Sequence, residues 1–177
     1  MGAPICGEVN MQMKKCRLYV ASSHRNPYFR GVMTALAAAG YRFYDWEKEH
    51  ADAGYTNKQA DGRAVLSIDP VHRRLCALAC FRAISQSDGF ILVLPAGAAS
   101  HIELGYYISL WRAARPIVES SLTTPIILAL GEADLQENLY SVATVVTSME
   151  SLRLLLDLYE AYCNARPWTH EEPGIEE

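Results

Sequence analysis

The chain has 177 residues, half of them hydrophobic, with a formal net charge of −4 and a pI near 5.7. That supplies one good core and no basic stripe, so a single domain is expected and a nucleic-acid polymer is excluded as a partner. No apolar run reaches the roughly 18–20 residues of a membrane span, and five cysteines without paired spacing suit a reducing cytoplasm better than a disulfide framework.

Residues 1–15 lack the apolar core of a signal peptide and read as a flexible leader. Arg17 to Ala21 (RLYVA) is rich in β-formers and reads as a first strand. Asn26 then sits as an N-cap with Pro27 at the first helical position, and Phe29, Val32, Met33, Leu36 and Ala37 recur at helical spacing until Gly40. Tyr41 to Trp46 alternates like a second strand. The stretch from Glu47 to Gly62 is polar and without a clean period, so it reads as a disordered excursion or as a lid over a site.

Asp69-Pro70 starts a helix that runs to about Ser87. Cys76 and Cys80 lie on one face of it, but no second pair with zinc spacing follows, and no metal or cofactor is expected. Gly89 to Pro95 (GFILVLP) is a continuous apolar run, which suits a strand covered on both faces. Ala99 to about Ala114 reads as a helix, Thr124 to Leu130 as a buried strand, Thr144 to Thr147 as a short fifth strand, and Met149 to Cys163 as a closing helix. Residues 166–177 form an acidic tail, so the domain is expected at 16–165. Strands alternating with helices predict an α/β fold, a flavodoxin-like doubly wound five-stranded parallel sheet flanked by helices, with ligands beyond the carboxyl ends of the strands.

Two segments after strand ends could carry chemistry. Ser22 to Asn26 leads into a helix N-terminus, where backbone N–H groups favour an anion, and Ser23 and Arg25 add a hydroxyl and a guanidinium suited to phosphate. The plain alternative is a capped turn with a solvated Arg25. In Gly97-Ala-Ala-Ser100-His-Ile-Glu103, the glutamate is expected in the first turn of a helix, where the dipole favours the ionised form that a nucleophile at a sugar carbon requires. Here too there is a plain alternative, since Ser100-x-x-Glu103 is a capping-box spacing. His101 is a weak acid/base candidate. His72, Arg73 and Arg74 read as the solvated face of their helix, and Tyr106, Tyr107 and Trp111 as core or interface.

YVASSHRNPYF at the first strand–helix turn, SDGFILVLPAG and HIELGY around the third strand, and DLQENLYSVATVVTSMESL near the end occur in one order and spacing. Across residues 17 to 160 this pattern resembles the nucleoside 2-deoxyribosyltransferase family, including its hydrolytic relatives, the nucleoside 5′-monophosphate N-glycosidases. The resemblance implies cleavage of an N-glycosidic bond through Glu103, fifteen residues after Asp88, with the sugar passed to another base or to water. It implies that Tyr19 positions Glu103, that Gly97 and Ser100 border the ligand, and that Ser23, His24 and Arg25 receive a 5′-phosphate. It also implies a small-molecule nucleoside or nucleotide ligand, and a homodimer or higher homo-oligomer that completes its sites across an interface. The family usually has an aspartate at the position of Cys80, and no acidic residue occurs from Pro70 to Ser87 to replace it. Two further readings are a nucleotide-binding module that has lost catalysis and a TIR-like signalling domain, which shares the strand–serine–helix opening.

Overall fold

The computed structural model describes residues 16–165 apart from 24, 55, 59–63, 67–68, 115–123 and 132–137. The expected leader, the acidic tail and His24 lie outside the described residues. In chain order the elements are β1 (Arg17–Ala21), α1 (Phe29–Ala38), β2 (Arg42–Tyr44), α2 (Trp46–Asp52), β3 (Thr56–Lys58), β4 (Ala64–Leu66) and α3 (Pro70–Ser85). They continue with β5 (Gly89–Leu94), α4 (Ala98–Ala114), β6 (Ile126–Ala129), a 3-10 turn (Asn138–Val142), β7 (Thr144–Val146) and α5 (Met149–Ala165).

Five strands form one parallel sheet in the order β2-β1-β5-β6-β7, as expected of a flavodoxin-like α/β fold. Side chains on a strand alternate between faces, so each central strand feeds two cores. Leu18, Val20, Ile91, Val93, Ile126 and Leu128 pack with Val32 and Leu36 of α1 and Leu152 and Leu156 of α5. Tyr19, Ala21, Phe90, Leu92 and Ile127 pack on the opposite face with Ala83 and Ile84 of α3 and Leu104 and Ile108 of α4. This explains the unbroken apolar run of β5, every residue of which is buried. The chain leaves β1 for β2 on one side and returns to β5 on the other. The crevice between the carboxyl ends of β1 and β5 is therefore the topological switch point, where doubly wound sheets take ligands.

Helix ends explain where the structure departs from the expected boundaries. Asp69 caps α3 as expected, its Oδ1 accepting from Val71 N at 2.8 Å. Gly40, at φ 82°, ends α1 with paired bonds from Gly40 N to Ala37 O and Tyr41 N to Leu36 O, the arrangement a left-handed residue allows. Asn26 is not a helix cap, and α1 begins only at Phe29. Its Oδ1 accepts from Tyr28 N, and its Nδ2 lies 2.8 Å from Ser22 Oγ, 3.0 Å from Val93 O and 3.1 Å from Pro95 O. The amide thus brackets the turn after β1 to the end of β5.

The stretch from 47 onward is not disordered at its start, where it is helical. Trp46 ends no strand but opens α2, because the Asp45 side chain accepts from Lys48 N and caps it. Beyond it β3 and β4 pair antiparallel as a separate two-stranded sheet, a local pairing that the hydrophobic period could not reveal.

Candidate active site

An open cavity of about 180 Å³ lies at the carboxyl ends of β1 and β5. Ala21 and Ser22 come to it from the end of β1, Trp46 and His50 from α2, and Ala99, Ser100 and Glu103 from α4. Helix α3 supplies Arg73, Cys76, Ala77 and Cys80. The volume is below the roughly 300 Å³ of ordinary small-molecule pockets, so it suits one ring, with the rest of a ligand at the open mouth.

Glu103 lies in the second turn of α4, not the first. The helix begins at Ala98, and His101 N already donates to Gly97 O at 3.2 Å. Ser100 and Glu103 are therefore both inside the helix, and the capping-box alternative falls. The expected dipole stabilisation of an ionised Glu103 falls with it, because that effect fades beyond the first turn. Burial dominates instead, and it pushes the Glu103 pKa up to about 7. Hydrogen bonds from the Tyr19 hydroxyl and the Cys80 thiol oppose that rise.

Tyr19 itself is 1 % exposed. Its ring stacks between Tyr44 of β2 at 5.9 Å and Phe90 of β5 at 5.5 Å, its register partners on the neighbouring strands. The ring is thereby fixed, with its hydroxyl directed at Glu103. Burial raises the Tyr19 pKa, and the charges of Glu103 and Cys80 raise it further, so it remains a phenol donor. Cys80 is buried at the same spot, and burial pushes its thiol up to about 12 while the Tyr19 hydrogen bond opposes. It donates to Glu103 and holds its proton at neutral pH.

The structure thus brings Tyr19, Cys80, Ser100 and Glu103 together. The first turn behaves differently. Arg25 is exposed, its backbone N donates to Ser23 Oγ at 3.2 Å, and the Asn26 N–H donates to Ser23 O. Neither Ser23 nor Arg25 borders the cavity, and the amides of 25, 26, 28 and 29 are engaged within the turn. Gly97 also stands outside the cavity wall, with its carbonyl taken by His101. His101 is structural. Its Nδ1 can only donate to the Gly97 carbonyl at 2.8 Å, so Nε2 accepts from Tyr140 Oη at 2.8 Å. Asp88 sits at the far end of β5, where its carboxylate accepts from Arg17 N at 2.7 Å and its carbonyl from the Tyr159 hydroxyl.

Among the wall residues that sequence reasoning missed are Ser22, Trp46, His50, Arg73 and Cys76. Arg73 borders the cavity instead of a purely solvated face. For Trp46 and His50 a signal existed: Asp45 followed by two glutamates within four residues marks a helix start, and the two aromatics then share one face at i, i+4. Among the described residues no three His, Cys, Asp or Glu side chains converge as a metal site. No described helix is long and apolar enough to cross a membrane. The chain matches no protein-family model and no curated protein, so its function has to be read from the chemistry of this site together with the motif resemblance.

Proposed function

We propose that the protein cleaves the N-glycosidic bond of a nucleoside or nucleoside 5′-monophosphate, with Glu103 as nucleophile at the sugar carbon. The observation that carries the reading is a half-buried carboxyl facing a cavity at the sheet's switch point, with the Tyr19 hydroxyl and Cys80 thiol both donating to it. The transition state for leaving of the base is oxocarbenium-like, and a carboxylate in a low-dielectric wall stabilises that positive charge strongly. Attack by Glu103 gives a glycosyl-enzyme ester, and water or a second base then takes the sugar. Tyr19 and Cys80 hold one carboxyl orientation through both steps. Burial makes ionisation costly in the empty site, and the developing charge on the sugar offsets that cost as the reaction proceeds.

The motif resemblance supports the same reading, including a homodimer. Val71 and Leu78 of α3 and Ile102 of α4 are 63 %, 54 % and 63 % exposed, on the helices that carry Cys80 and Glu103. Cys80 favours a second reading, a nucleotide-binding module without turnover, because it places a thiol that holds its proton where a carboxylate would assist the leaving base. Incubation of purified protein with a panel of nucleosides and 5′-monophosphates separates the two. Free base by chromatography, lost on Glu103→Ala with binding retained, is the expected result. Nucleotide binding with no base released from any substrate would leave only the binding module.

A further inference from the structure

Breaking an N-glycosidic bond requires a group that takes the sugar carbon and, for an ordinary nucleobase, a group that protonates the base as it leaves. Glu103 fills the first role in the reading above. The thiol at its side is a poor proton donor at neutral pH, because burial pushes it up to about 12, and Tyr19 is raised as well. The serine hydroxyls in the wall are not acids at neutral pH. Burial raises the Cys76 thiol as well, which leaves His50 as the described wall side chain whose type ordinarily changes charge between pH 5 and 8.

The geometry of His50 suits the task. It is 3 % exposed and yet borders the cavity. Its ring is held edge-on to Tyr44 at 6.4 Å and against Trp46 at 5.8 Å. Its Nε2 lies 3.9 Å from Cys80 Sγ, and the same sulfur is hydrogen-bonded to Glu103. One sulfur atom therefore separates the imidazole from the carboxyl, and both face one cavity from different walls. Among the described residues, the charged and titratable groups around it include Tyr44 from β2, Cys76, Cys80 and Arg73 from α3, and Glu103 from α4, with Glu49 on its own helix.

We infer that His50 is the second catalytic residue, the donor that protonates the departing nucleobase, an inference that rests on the N-glycosidic reading of this site. As the C1′–N bond breaks, its electron pair passes to the base, the imidazolium gives that base its proton, and a Glu103 oxygen bonds C1′. In the second half, water attacks C1′, the Glu103 ester opens, and the neutral imidazole takes the water's proton. No oxidant or other reactant is needed. The substrates are N-glycosides of bases that leave as neutral, protonated heterocycles, with Trp46 beside His50 as the apolar wall for the ring.

The test compares nucleosides with the 4-nitrophenyl glycosides of the same sugars, whose nitrophenolate leaves without a proton. In His50→Gln, kcat/KM for nucleosides, which reports the bond-breaking half alone, should fall about 10²–10⁴-fold, while kcat/KM for the nitrophenyl glycosides stays within about threefold. An equal fall on both substrates, or none on either, overturns the inference. Wild-type protein gives an independent readout. For nucleosides kcat/KM should rise and then fall with pH, a bell that His50→Gln converts to a single rise. For the nitrophenyl glycosides it should rise to a plateau. An alkaline fall shared by both, or absent from both, overturns the assignment of His50. Wild-type release of nitrophenolate without any base does the same and leaves Glu103 standing. Release of neither product overturns the N-glycosidic reading and this inference together.

Discussion

Replacing Glu103 by Gln removes a charge that the fold accommodates at a cost. Burial moves the carboxyl from its ordinary 4.5 to about 7, which corresponds to about 3 kcal/mol. The sign follows from proton linkage. Between those values the folded protein keeps a proton that the unfolded chain has released, so stability falls as pH rises. The contribution is fully present below about 4.5 and lost as pH climbs through about 7. Glutamine resembles the neutral carboxyl and still accepts from Tyr19 and Cys80. Glu103→Gln should therefore match the wild type near pH 4.5 and exceed it at pH 8 by up to about 3 kcal/mol. Urea unfolding of both proteins at several pH values measures this directly, as a midpoint gap that opens with pH at constant slope. A gap that stays level across the range, or a variant weaker than wild type at pH 8, would refute burial as the cause. The same substitution should end base release, since an amide cannot form the glycosyl ester. Gained stability with lost activity is the signature of a strained functional group.

Tyr19→Phe keeps the stacked ring but deletes a donor to Glu103, and Cys80→Ala deletes the other, so in each the acidic limb of the kcat/KM profile should move to higher pH. A limb that stays in place would mean that neither hydrogen bond reaches the carboxylate. Arg73→Ala should weaken 5′-monophosphates about tenfold to a hundredfold more than the matching nucleosides, the loss of one charge-assisted contact, while Arg25→Ala changes both by less than about threefold. Titration calorimetry on both ligand classes decides, and the reverse ranking would put the phosphate at the first turn. Asn26→Ala leaves the Pro95 carbonyl and the Tyr28 amide short of a partner, while Ser22 Oγ still donates to the Val93 carbonyl, so it should cost about 2–3 kcal/mol by urea unfolding. A cost under about 0.5 kcal/mol would show that water replaces the bracket.

What the sequence alone determined about this protein is the fold and one face of the site. The apolar runs at 89–94 and 126–129 can only be strands buried on both sides, and helices between parallel strands must then cover both faces. That topology sends whatever follows β1 and β5 to one crevice, and the motif resemblance pairs Tyr19 with Glu103 there. The tertiary structure decided the rest, because the remaining wall comes from α2 and α3, and no local pattern encodes which faces of two distant helices meet. His50 is 30 residues from Cys80 in the chain, and only packing brings their side chains to 3.9 Å. The same holds for charge. Spacing placed Glu103 at a helix start, where a dipole would keep it ionised. Its proton affinity is set instead by how much of the neighbouring fold excludes water from it, a quantity that exists only once the chain has closed.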